Sequence, residues 1–130
     1  MIRIAGDSSF QIAFPLDSDI SSLVERPARR FLRLCRLSPP ISRFLIGRLT
    51  RALHRCGVRE RGHAGRARLT LSSRAGTLRM TFRVTPAAGV DLRRLAPLTR
   101  GAPPRVRVDY RKNGRSGVLS IRAPLPSPPP

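Results

Sequence analysis

The stretch Val106–Pro124, VRVDYRKNGRSGVLSIRAP, decides how this chain is read. Asn113-Gly114 is a strong hairpin signal, because both residues tolerate positive φ. A two-residue loop there pairs Val108 with Leu119 and Val106 with Ile121. Apolar meets apolar on one face, as the register of a half-buried sheet requires. The stretch Ala67–Val84, ARLTLSSRAGTLRMTFRV, reads the same way. A turn at Ala75-Gly76 pairs Leu71 with Met80, Leu69 with Phe82 and Ala67 with Val84. The other face of the two hairpins carries Arg68, Arg79, Arg83, Arg105, Arg107, Arg111 and Arg122. Tyr110 belongs to the apolar face by register.

Outward from the hairpins, the periodicity changes. Phe10, Ile12 and Phe14 alternate with Gln11 and Ala13, which predicts a first strand ended by Pro15. Asp17-Ser18-Asp19 supplies helix-start chemistry, and Ser22 and Glu25 have capping-box spacing. A first helix is expected from about Ile20 to Leu37, with Val24, Ala28, Phe31, Leu34 and Cys35 on its apolar stripe. Pro27 either kinks it or begins its main part. A second helix is expected from about Ile41 to Cys56, with Phe44, Leu45, Leu49, Ala52 and Leu53 inside. A short helix, Val90 to Leu98, is expected between the hairpins, and residues 124–130 form a proline-rich disordered tail. The order β-α-α-β-β-α-β-β describes one α/β (α+β) domain over residues 1–123. It is a two-layer sandwich of an antiparallel sheet with helices on one face.

Composition narrows the function. The chain has 130 residues, 26 basic and 7 acidic, for a net charge of +19. Lys112 is its one lysine, so the other 25 basic residues are arginine. A preference this large is explained in part by a GC-rich genome. No run approaches the ~20 apolar residues of a membrane-spanning helix, and the N-terminus lacks a secretory layout. The expected location is the cytoplasm. Cys35 and Cys56 lie 21 residues apart without a histidine pattern, which is no metal-site spacing. Residues 26–130 carry the positive charge, a field that attracts nucleic acid, anionic lipid or acidic protein.

Several phrases resemble the histidine-kinase/Hsp90-like ATPase family, in its branch of anti-sigma factors that are serine-protein kinases in bacterial partner switching. Phe10–Phe31, FQIAFPLDSDISSLVERPARRF, is similar to that branch's opening strand, acidic turn and first helix. Gly47–Arg55, GRLTRALHR, looks like its second helix. Leu78–Arg83 resembles the strand that leads into its Asp-x-Gly-x-Gly loop, and Val106–Pro124 its terminal hairpin.

The departures fall on the nucleotide-handling positions. Gly47 stands where the family has its general-base Glu, and Arg51 where it has the Asn that holds Mg²⁺. Arg55 stands at a frequent His. Val84 stands at the Asp that reads adenine, with Pro86 and Ala88 at the following glycines. A one-residue shift would put Thr85 at that Asp, which still is not acidic. Residues 87–104 are too few for both the ATP lid and the second glycine-rich box. A serine hydroxyl would lack its proton acceptor, and a guanidinium would repel the metal.

The resemblance therefore implies a degenerate anti-sigma-like regulator without catalysis, ATP or metal. Its expected partners are a sigma factor or an anti-sigma antagonist, and a homodimer is open to it. The alternative is a basic, sequence-independent nucleic-acid binder that uses the arginine face. Arg48, Arg51, Arg68, Arg79, Arg83, Arg105, Arg107 and Arg111 are its candidate phosphate contacts. Arg51 could put its charge where the metal sat and bind phosphate bidentately, but Arg48, Arg51 and Arg55 read more simply as the solvated face of an amphipathic helix.

Overall fold

A computed structural model of the chain describes residues 8–15, 21–56, 65–85 and 92–126. Its elements are β1 (Ser8–Pro15), α1 (Ser21–Leu34), α2 (Pro39–Cys56), β2 (Arg66–Arg74), β3 (Thr77–Thr85), a 3-10 helix (Leu92–Thr99), β4 (Arg107–Asn113) and β5 (Ser116–Pro124). The strands form one sheet in the order β1-β2-β3-β5-β4, and every neighbouring pair is antiparallel. The expected α+β class stands. Asp7, Asp17, Asp19, His63, Pro86, Ala88 and Asp91 lie outside the described residues.

The two hairpins show what alternation can and cannot fix. In β2–β3 the expected pairs form, with Leu71 opposite Met80 and Ala67 opposite Val84. In β4–β5 the register is two residues away from the expected one. Val108 faces Ile121, Tyr110 faces Leu119, and Asn113 faces Ser116. The turn residues are therefore Gly114 and Arg115. Gly114 alone takes a positive φ, 62°, which is the signature of a type II′ turn rather than the type I′ turn expected of Asn-Gly. A slip of one residue exchanges the faces, but a slip of two preserves them, so the apolar pattern is blind to it. The expected register would have set Tyr110 against Gly117. The observed one gives its ring an apolar partner in Leu119.

The helices differ from expectation in their ends and in one face. α1 stops at Leu34, and Arg36 beyond it takes a left-handed φ of 56°. Pro27 sits within α1 and neither begins nor ends it. The buried line is Val24, Ala28, Leu32 and Cys35, while Leu34 is 39% exposed. Leu32 thus takes the inward place that the sequence pattern assigned to Leu34. α2 begins at Pro39, two residues before the expected start. Its first turn has no intrahelical acceptors for its N–H groups, so prolines there give up nothing. The Ser38 carbonyl accepts from the Ser42 N–H at 2.9 Å, which starts the helical ladder.

One core unites the layers. Leu45, Leu49 and Ala52 of α2 are buried with Leu69, Leu71, Met80, Phe82, Leu119 and Ile121 of the sheet. Phe14 and Phe82 have ring centroids 6.4 Å apart in a tilted pair. The segment expected as a short α-helix is a 3-10 helix. It buries Leu95 and Leu98, whose spacing of three matches the three-residue turn of that helix. The ordered chain also continues past 123. Pro124 is in β5, and the Leu125 N–H donates to the Gly76 carbonyl at 2.9 Å.

Arg105 is not on a strand. The Val106 N–H donates to the Pro103 carbonyl at 3.1 Å, and Arg105 has φ 70°. Pro104 and Arg105 are thus the central residues of a type II turn, in which glycine is the usual third residue. β4 starts two residues later, at Arg107.

Candidate functional site

The open face of the sheet is built by the registers just given. One cross-strand row reads Ser9, Ser72, Arg79, Arg122, Arg107 from β1 to β4. The next reads Gln11, Thr70, Thr81, Ser120, Asp109. The third reads Ala13, Arg68, Arg83, Val118, Arg111. Two arginine rows thus flank a row of hydroxyls. Neighbouring strands lie ~4.8 Å apart and successive rows ~6.8 Å apart. Arg79, Arg122 and Arg107 occupy three adjacent strands side by side, an arrangement that is unfavourable without an anion. All six arginines of these rows are exposed. Asp109 is the one carboxylate of this face among the described residues.

One end of the face is concave. A groove of about 590 Å³ is lined by Ser9, Ser72, Arg74, Arg79 and Arg122, among others. Guanidinium donors and hydroxyls together are the groups that bind phosphate oxygens. No aromatic residue stands on this face, since Tyr110 pairs with Leu119 on the core side. It can grip a backbone and has no platform on which bases stack.

Of the nucleotide-site positions that are described, two share a groove away from the sheet face and a third does not line it. Gly47 and Arg51 line an open groove of about 680 Å³ between α1 and α2. Val84 does not line it and is wholly buried in the core. Arg55 belongs to α2, but its side chain, like Pro86, lies outside the described residues. Exposed Arg29, Arg33, Arg43 and Arg51 edge this groove, and buried Leu32, Leu37 and Ile46 form its floor. Glu25 ties the two helices together at this surface. Its Oε1 lies 2.8 Å from Thr50 Oγ1 on α2, and its Oε2 lies 3.9 Å from Arg29 Nη2. The residue with capping-box spacing thus reaches across to α2.

Arg48, one of the candidate phosphate contacts, has partners within the chain. Its Nε donates to the Leu98 carbonyl at 3.0 Å and its Nη2 to the Arg100 carbonyl at 2.7 Å. Its guanidinium stands 4.5 Å from the centroid of the Phe44 ring. A cation is thereby placed on carbonyls left over at the C-terminal end of the 3-10 helix. A Cβ on Gly101 would stand 3.3 Å from Arg48 Nη2, so the chain passes close to the clamp there. Helical spacing shows the Phe44–Arg48 pair. Only the fold brings residue 98 to it.

Among the described residues, no group of three His, Cys, Asp or Glu side chains could hold a metal ion. No described helix is long and apolar enough to cross a membrane. Burial raises the Cys35 thiol from 9.0 to about 11, which keeps it protonated and unreactive at neutral pH. No protein-family model matches the chain, and no curated protein matches it.

Proposed function

We propose that this chain is a non-catalytic regulator similar to anti-sigma factors, which acts in transcription control by binding a partner protein. The observation that carries this reading is the element order, strand, two helices, hairpin, 3-10 helix, hairpin, taken with Gly47 and Arg51 on α2. Glycine has no base to offer a serine hydroxyl, and a guanidinium has no ligand to offer Mg²⁺. The partner is a sigma factor or its antagonist, in the cytoplasm, and neither ATP nor metal is required. Nucleotide binding measured with and without Mg²⁺ tests this. No Mg²⁺-dependent ATP binding is expected. Tight Mg²⁺-dependent binding, or a pull-down that recovers neither sigma factor nor antagonist, would overturn it.

A second reading has its own observation, the two arginine rows. We propose for it sequence-independent binding of nucleic-acid backbones by the open sheet face. Retention on DNA or RNA should fall with salt and with loss of Arg83 and Arg107. Absence of retention even at low salt would remove this reading.

A further inference from the structure

Gly47 is a glycine that the fold does not need. It lies in the middle of α2, where glycine is among the poorest helix formers. Its φ is not in the left-handed region. A Cβ built on it would meet nothing within 4 Å. Neither backbone conformation nor packing therefore calls for glycine at this position. Its effect is to leave the wall of the α1–α2 groove open above an apolar floor.

The groove is long as well as open. Its α2 side runs from Pro39 to Arg51, about 18 Å of helix at 1.5 Å per residue. Arginines edge it from both helices, Arg29 and Arg33 on α1 and Arg43 and Arg51 on α2. Glu25, the carboxylate of α1 among the described residues, is engaged by Thr50 and Arg29. The surface thus sets an apolar floor between positive charges, of which Arg29 already faces Glu25 while Arg33, Arg43 and Arg51 make no ion pair with a described carboxylate. The complement is a helical segment with an apolar stripe and acidic flanks.

We infer that the α1–α2 groove is the docking site for an acidic amphipathic helix of the partner protein, with Gly47 as the gap that admits its apolar side chains. The inference rests on the regulatory reading and gives the partner a chemistry and a place. Leu37 and Ile46, at the margin of the core beside Gly47, receive the apolar stripe over the buried Leu32, and the edging arginines, Arg33, Arg43 and Arg51 first, pair with the flanking carboxylates.

The test uses the full chain and a labelled helical peptide about four turns long. Its leucines sit at i, i+3, i+4 and i+7, with glutamate elsewhere. A second peptide replaces each leucine by serine at the same charge. Fluorescence anisotropy should show binding of the first peptide and about tenfold weaker binding of the second. Gly47→Leu should weaken the first peptide about tenfold without lowering the melting temperature. A double change of Arg29→Ser and Arg51→Ser should do so as well, whereas Arg79→Ser with Arg122→Ser should leave binding unchanged.

Absence of binding overturns the inference, as does equal binding of both peptides. So does a loss shared by the sheet-face variant, which would reduce the effect to net charge. Self-association of the chain, or adsorption to phosphatidylserine vesicles, that disappears in Gly47→Leu would assign the groove to another occupant. If Gly47→Leu does not fold, Arg33→Ser with Arg43→Ser decides the matter by the same tenfold criterion. The Mg²⁺–ATP assay fails or succeeds independently, so a wrong groove and a wrong regulator are told apart.

Discussion

Two basic surfaces lie on opposite sides of the same core, and they are built on different principles. The open sheet face sets arginines in register across strands, with a row of Thr and Ser between them and no aromatic on it. The α1–α2 groove sets arginines around buried leucine and isoleucine. The first surface offers charge at repeating intervals and nothing apolar in its hydroxyl row. The second offers charge around an apolar floor. A phosphate backbone suits the first and a folded acidic segment the second. Net charge alone cannot distinguish them, and the neighbours of each guanidinium can.

The largest expected effect breaks the comparison by salt. If three phosphates are held by Arg79, Arg122 and Arg107, DNA affinity should fall about 40-fold between 50 and 200 mM salt. Arg79→Gln with Arg122→Gln should reduce the salt slope by about two. Arg29→Ser with Arg51→Ser should leave it unchanged. Anisotropy titrations at several salt concentrations measure both.

Stability separates two arginines that are near neighbours on α2. Arg48→Met should destabilise the fold by about 2 kcal/mol in urea unfolding, because two carbonyls lose a charged donor. Arg51→Met should stay within about 0.5 kcal/mol, since Arg51 is exposed at the groove edge.

A smaller effect of opposite sign concerns residues whose conformation or identity works against the fold. Gly47→Ala should stabilise the chain by about 1 kcal/mol, because helix propensity improves and space is free. Arg105→Gly should stabilise it by about 1 kcal/mol, by relieving a positive φ at a side-chain-bearing residue. Equal melting temperatures in either variant and the parent would contradict the assignment.

A last signal, confined to alkaline pH, is the titration of a thiol in the core that both surfaces share. The Cys35 thiol titrates at about 11 in the folded chain and at 9.0 without burial. The unfolded chain therefore loses this proton first, and stability should decline as pH rises from about 9 to about 11. Cys35→Ala should remove that part of the decline in urea midpoints followed against pH.

Much of the fold can be read from side-chain alternation, and its failures have specific causes. The β2–β3 register follows from Leu69, Leu71, Met80 and Phe82 because the turn at Ala75-Gly76 has one good solution. The β4–β5 register does not follow, because type I′ and type II′ turns around Gly114 leave every side chain on the same face. Arg105 continues the textual alternation of Arg107, yet Pro104 turns the chain there first. Leu32 and Leu34 both suit a helix stripe, and packing chose Leu32. The sites were less legible. The arginines of the sheet face can be read from period two, but their alignment into rows needs the strand order β2-β3-β5-β4. Arg48 looks like its neighbours in sequence and differs only because the 3-10 helix ends beside it.

The side-by-side arginines also make the molecule responsive to its medium. Screening shortens the reach of repulsion between Arg79, Arg122 and Arg107, so added ions firm the pairing of β3, β5 and β4. The same ions compete for any backbone held there. Ionic strength then moves cohesion and grip in opposite directions, and the sheet is tightest in brine, when it holds least.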